Sequence, residues 1–124
     1  MAQIKDQLSK QKLNELQMKI WTKVVVEEQY KDPHYSARQL ASDLATNTRY
    51  ISAVMQHRFQ KSFSAFMNDW RVEEAIRLMN SKQGPELTLE KIAQLSGFAN
   101  RQTFYTAFTK KTGCTPKHFK DGIK

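Results

Sequence analysis

Apolar residues recur along this chain with a period near 3.6 and nowhere alternate convincingly with period 2, so the fold is expected to be all-α. Leu13, Leu16, Ile20 and Val24 form a first stripe, widened by Trp21 and Val25. The run Val24-Val25-Val26 favours strand by propensity, but the surrounding period outweighs three residues. Asp32-Pro33 is expected to end this element, because the residue before proline avoids helical geometry. Ser36 to Gln39 fits a capping box and opens a short helix with Leu40, Ala41 and Leu44 inward. Asn47 caps the next helix, with Tyr50, Ile51, Val54 and Met55 inward and Arg49, Ser52, Ala53 and Gln56 outward. Ser62 is placed to cap a long helix to about Asn80, carrying Phe63, Phe66, Trp70 and the stripe Val72, Ala75, Ile76, Met79, until Gly84-Pro85 breaks it.

The last third repeats this grammar. Thr88 caps a short helix with Leu89, Ile92 and Ala93 inward, and Gly97 supplies a turn. Asn100 caps a helix whose inward face is Phe104, Ala107 and Phe108. Its outward face is Gln102, Tyr105, Thr106 and Thr109, with Arg101 at the helix start. Gly113 stops it, and Thr115-Pro116 opens one more helix as N-cap and first residue.

Residues 35–41 align with 87–93 at an offset of 52, and beyond the turn the offset becomes 53. Asn47 then matches Asn100, Ile51 matches Phe104, and Met55 matches Phe108. One helix-turn-helix unit is thus used twice, with the 63–82 helix as spacer. The expected layout is a polar lead-in or linker remnant over 1–12, a first subdomain over 13–62, a linker helix over 63–83 and a second subdomain over 84–124. By the same offset the outward residues Arg49, Ser52, Ala53 and Gln56 fall on Gln102, Tyr105, Thr106 and Thr109.

Charge sharpens the picture. The 124 residues carry 20 Lys plus Arg against 12 Asp plus Glu, a net +8 that favours a polyanionic partner. Residues 44–68 and 91–120 hold no acid, whereas Asp69, Glu73, Glu74, Glu86 and Glu90 crowd the segment between. Acids are missing where two polar helix faces would approach phosphates, which places nucleic acid ahead of an anionic membrane. Cys114 is the only cysteine, so no intrachain disulfide can form and a reducing compartment is the default. The N-terminus has no apolar core of signal-peptide length, and no apolar run approaches membrane-spanning length. A cytoplasmic location, at the nucleoid when bound to DNA, is the expectation.

The segments IAxxSGFANRQTFYTAFTKKTGCTPKHF at 92–119, and LASDLATNTRYISAVM with SFSAFMNDWRVEEAIRLM within 40–79, resemble the DNA-binding domain of the AraC family of bacterial transcription regulators. The resemblance spans about 110 residues. It implies about seven helices in two helix-turn-helix subdomains joined by a linker helix, set on one face of DNA in successive major grooves about 34 Å apart. By position, base reading falls on Arg49, Ser52 and Ala53 in the first unit and on Arg101, Gln102, Tyr105 and Thr106 in the second; the outward spacing adds Gln56. Arginine can grip guanine O6 and N7, glutamine adenine N6 and N7, and the Ala53 methyl can meet a thymine methyl. Arg58, Lys61, Lys110, Lys111, Lys117 and Lys120 are phosphate candidates, joined by the helix starts at Ser36 and Thr88. Gln60 departs from the pattern, standing where many relatives have glycine. The resemblance further implies activation through contact with RNA polymerase, and a separate sensing or oligomerising domain that nothing in this chain resembles; excision from a longer regulator is favoured over a stand-alone one.

Enzymatic chemistry has little support. His34, His57 and His118 show no paired metal spacing, Cys114 has no obvious activating partner, and no phosphate-binding glycine loop appears, so neither metal nor cofactor is expected. The alternative is a non-enzymatic helical interaction module, for instance an adaptor that contacts RNA polymerase without reading DNA.

Overall fold

Ser9 starts the first helix: its hydroxyl accepts the Lys12 N–H at 3.0 Å and opens α1, Lys10–Trp21. A computed structural model describes residues 8–123, and the first seven positions of the expected lead-in lie outside them. After Trp21 the helix widens into a π turn, Thr22–Val26, and stops when Glu28 takes a left-handed φ of 59°. It therefore ends before Asp32-Pro33, at a residue the sequence does not mark as a stop. A 3-10 turn, Gln29–Lys31, follows. The remaining helices are α2 (Ala37–Asp43), α3 (Thr48–Val54, widening into a π turn, Met55–Phe59), α4 (Phe63–Met79), α5 (Leu89–Ser96), α6 (Arg101–Thr112) and α7 (Pro116–Asp121). Among the described residues there are seven α-helices and no strand, and none of the helices is long and apolar enough to cross a membrane.

By its contacts the described chain divides into two compact units, 8–29 with 35–67 and 30–34 with 68–123. In the first, α1 packs on α3 and its π turn, and α2 packs on α3. Leu13, Leu16, Ile20 and Val24 are buried as the stripe requires, with Leu40, Ile51, Val54, Met55, Phe66 and Met67 completing the core. Tyr35 is also buried, and its hydroxyl donates to the Asp43 carboxylate at 2.6 Å. Gln39 also donates to Asp43, at 2.8 Å, so Gln39 does not reach back to close the capping box; only the Ser36 half of that motif forms.

The second unit buries Val72, Ala75 and Met79 of α4 with Ile92, Ala93, Phe98, Phe104 and Phe108. Its aromatic rings meet edge to face: Phe104 with Phe108 at 5.7 Å and Phe108 with Phe119 at 5.3 Å. Residues 30–34 belong here because Arg71 holds them. Its Nε donates to the Tyr30 carbonyl at 2.6 Å, its Nη2 to the Asp32 carbonyl at 3.0 Å, and its Nη1 to Asn68 Oδ1 at 2.9 Å. Burial lowers the pKa of this guanidinium, and the charge of Asp32 partly opposes the shift. Lys31 lies 3.6 Å from the buried Glu74 carboxylate, which also takes two hydrogen bonds from Arg77 at 2.9 and 2.7 Å. The Arg77 bonds first, and then Lys31, hold that carboxyl below the usual glutamate range against the opposing effect of burial.

Candidate nucleic-acid interface

The same capping chemistry builds a helix-turn-helix in each unit. Ser36 and Thr88 accept from the backbone N–H three residues on, at 3.1 and 3.0 Å. Asn47 and Asn100 do the same at 2.9 and 2.8 Å, and Ser62 and Thr115 at 3.1 Å each. Between the paired helices, Ala45 N–H bonds Ser42 O and Thr46 N–H bonds Ala41 O; in the second unit Gly97 N–H bonds Gln94 O and Phe98 N–H bonds Ala93 O. Each pair closes a left-handed turn at the end of the first helix. Four caps of this kind arise at repeat-related positions, Ala45 (φ 55°) with Gly97 (φ 102°) and Gln60 (φ 60°) with Gly113 (φ 84°). The Gln60 turn therefore keeps the glycine-like geometry despite its side chain.

These turns decide which faces of α3 and α6 remain open. In α3, Arg49 and Ser52 are exposed and Ala53 is half-buried, while Ile51 and Val54 are buried. Gln56 is exposed but lies in the π turn, so the regular spacing from Arg49 does not extend unbroken to it. In α6, Arg101, Gln102, Thr106 and Thr109 are exposed, and Tyr105 is half-buried. Each unit thus brings its own expected reading residues onto one helix face.

One arrangement was not foreseen from spacing. The Arg101 guanidinium lies 4.4 Å from the centre of the Tyr105 ring, which stands edge-on to Phe104 at 5.8 Å and 88°. Phe104 is buried, so Tyr105 is a shelf fixed to the core and Arg101 rests on it. A cation over an aromatic face gains about 0.5–1 kcal/mol at an exposed site, and here it also pre-sets the direction of the arginine fork. The Arg–Tyr spacing of four residues on a helix is the signal that could have revealed it.

The expected phosphate contacts divide. Arg58 donates at 2.7 Å to both Asn14 Oδ1 and Gln17 Oε1 of α1, ties that no local pattern announces. Lys111 lies 3.5 Å from Glu73, and Lys117 bonds Asp121 at 2.9 Å. That partner raises the Lys117 pKa and lowers that of Asp121, but both groups are exposed and the pair is easily exchanged for another anion. Lys61 and Lys110 are exposed and Lys120 is half-buried. The capping oxygens of Ser36 and Thr88 each accept one backbone N–H, which leaves their hydroxyl protons to donate outward. Among the described residues no group of three or more His, Cys, Asp or Glu is placed to hold a metal ion.

A helix-turn-helix domain model matches residues 40–122. Solved structures share the fold. The C-terminal domain of the two-component response regulator YesN from Fusobacterium nucleatum is 27% identical, with a TM-score of 0.71 over 84% of this chain and 98% of that one. The C-terminal domain of AraT, a response regulator from Geobacillus stearothermophilus, is 22% identical, with a TM-score of 0.72 over 83% of each chain. A DNA-binding transcriptional dual regulator from Escherichia coli K-12 is 16% identical, with a TM-score of 0.67 over 84% of this chain and 89% of that one. No curated protein matches by sequence.

Proposed function

Because the chain belongs to the AraC-type helix-turn-helix family, we propose that it binds specific sites in bacterial promoter DNA with α3 and α6 as its reading helices, one in each of two successive major grooves. The observation that carries this is the repeated exposed polar face: Arg49, Ser52 and Gln56 in one unit, and Arg101, Gln102 and Thr106 in the other, each on a helix fixed by the same asparagine cap. Neither helix carries an acid, so nothing on them repels a phosphate backbone.

In this mechanism Arg101, steadied by Tyr105, presents its two-pronged fork to a guanine edge, and Gln102 presents its amide to an adjacent adenine. Tyr105 and Thr106 reach neighbouring positions through their hydroxyls. Arg49, Ser52, Ala53 and Gln56 read less, because their groups are fewer or shorter, and contribute mainly affinity and register. Lys61, Lys110 and Lys120 meet phosphates, with the hydroxyls of Ser36 and Thr88. Lys111 and Lys117 join them by leaving their surface acids, Lys61 likewise gives up the partner it holds, and Arg58 chiefly locks α3 to α1. Transcription is activated through contact with RNA polymerase in the cytoplasm, and no step requires catalysis or a cofactor.

Titration of a random duplex against salt separates this from a polymerase-only adaptor. With five lysines on phosphates, affinity should fall about five-hundredfold between roughly 50 and 200 mM salt. Duplex binding that is absent even at low salt would favour the adaptor.

A further inference from the structure

Beside the Arg101–Tyr105 shelf the second unit holds a cleft of about 310 Å³. We propose that it is a binding site for a small aromatic carboxylate, and that its occupant competes with DNA for Arg101. The competition rests on the function proposed above; the site itself does not. The cleft lies near the lower end of the roughly 300–1,000 Å³ typical of small-molecule sites, enough for a one- or two-ring ligand.

Its lining specifies the ligand. Leu89, Ala93, Phe98 and Phe104 supply an apolar wall, with Tyr105 beside them. Phe98 and Phe104 lie 5.1 Å apart at 47° and are both buried, so they hold the cleft in shape from behind, and Leu89 and Tyr105, each half-buried, offer the apolar surface that a ligand can cover. A flat ring gains most from such a surface. Arg101 also lines the cleft, and its stacking on Tyr105 leaves the N–H fork, which matches a carboxylate in two parallel hydrogen bonds. Glu90 and Arg101 are the two charged residues of the lining, so an anion is favoured at the Arg101 side of the cleft and opposed at the Glu90 side. A carboxylate seated here occupies the arginine that base reading needs, and its ring covers the inner edge of the Tyr105 shelf.

The test is a backbone-amide NMR titration of the full chain, without DNA, using 2-naphthoate, the uncharged 2-naphthylmethanol and inorganic phosphate. Naphthoate should shift the amides of Leu89, Ala93, Phe98, Arg101 and Tyr105 saturably at sub-millimolar to low-millimolar concentration, with the alcohol about tenfold weaker. Arg101→Gln should weaken naphthoate about fivefold or more, and Glu90→Gln should tighten it about twofold. Ala99→Phe, at an exposed position on the cleft wall, should abolish binding while leaving the thermal midpoint close to wild type. Equal shifts from phosphate and naphthoate, no saturation, or an Arg101→Gln affinity equal to wild type would overturn the site. Fluorescence anisotropy on a bound duplex then tests competition: naphthoate should release the DNA, and unchanged DNA affinity at saturating naphthoate would overturn that half. A chain that binds naphthoate but no duplex would retain the site and refute the DNA-reading function instead.

Discussion

Arg71 and Glu74 lie three residues apart on α4, both buried, and each is satisfied differently. Arg71 spends its charge on two backbone carbonyls and an amide, so it fastens residues 30–34 without a carboxylate in contact. Replacement by Met keeps the stem and leaves those carbonyls unmet, which should cost about 2–3 kcal/mol in urea unfolding. Glu74 has a carboxyl held below its ordinary value, chiefly by the Arg77 hydrogen bonds. The stability this contributes is present at neutral pH, above the unfolded value, and is lost as pH falls through the lowered folded value. Glu74→Gln should therefore lower the urea midpoint at pH 7 and narrow the difference between pH 7 and acid, and an unchanged pH dependence would contradict the assignment. On the proposed reading surface the distinction is between kinds of contact. Gln102→Ala should relax preference at one base position, whereas Lys110→Ala should weaken all duplexes alike and reduce the salt slope by about one.

At the scale of elements, the two helix-turn-helix units solve one problem with different residues. The second unit uses Gly97 and Gly113 at its left-handed caps, and the first uses Ala45 and Gln60. A side chain in that region costs about 1 kcal/mol or more, so Ala45→Gly and Gln60→Gly should each raise stability by about 0.5–1 kcal/mol. The reverse changes are not equivalent to each other. A Cβ at Gly97 would sit 2.3 Å from the Tyr30 carbonyl oxygen, so Gly97→Ala must displace the 30–34 segment and should cost several kcal/mol. Gly113 has open space around it, and Gly113→Ala should cost only the conformational strain, about 1 kcal/mol. Differential scanning calorimetry of the four variants checks the whole set. The N-caps from Ser36 to Thr115 were legible in the sequence because a capping side chain bonds three residues away. The end of α1 was not legible, since Glu28 takes its φ of 59° with neither glycine nor proline to mark the place. Nor was the tie of Arg58 to Asn14 and Gln17, which joins residues more than 40 positions apart through side chains alone. Of the candidate site, the periodicity gave the exposed faces of α3 and α6; the four-residue spacing of Arg101 and Tyr105 signals that the two side chains can meet, while the stacked geometry comes from the ring orientation that packing on Phe104 sets.

For the molecule as a whole, a net charge of +8 accounts for attraction to DNA but not for choice among sequences. In the proposed mechanism choice depends on two differently equipped reading helices, so removal of either should leave a characteristic trace. Selection of bound duplexes from a random pool, run with the wild type and with Arg101→Ala, Gln102→Ala and Tyr105→Phe combined, measures this most directly. The wild type should enrich two short conserved blocks about one helical turn, roughly 10 base pairs, apart. The triple variant should retain the weaker block and lose the stronger. A wild-type pool with no enriched sequence, or a variant profile identical to that of the wild type, would contradict the account.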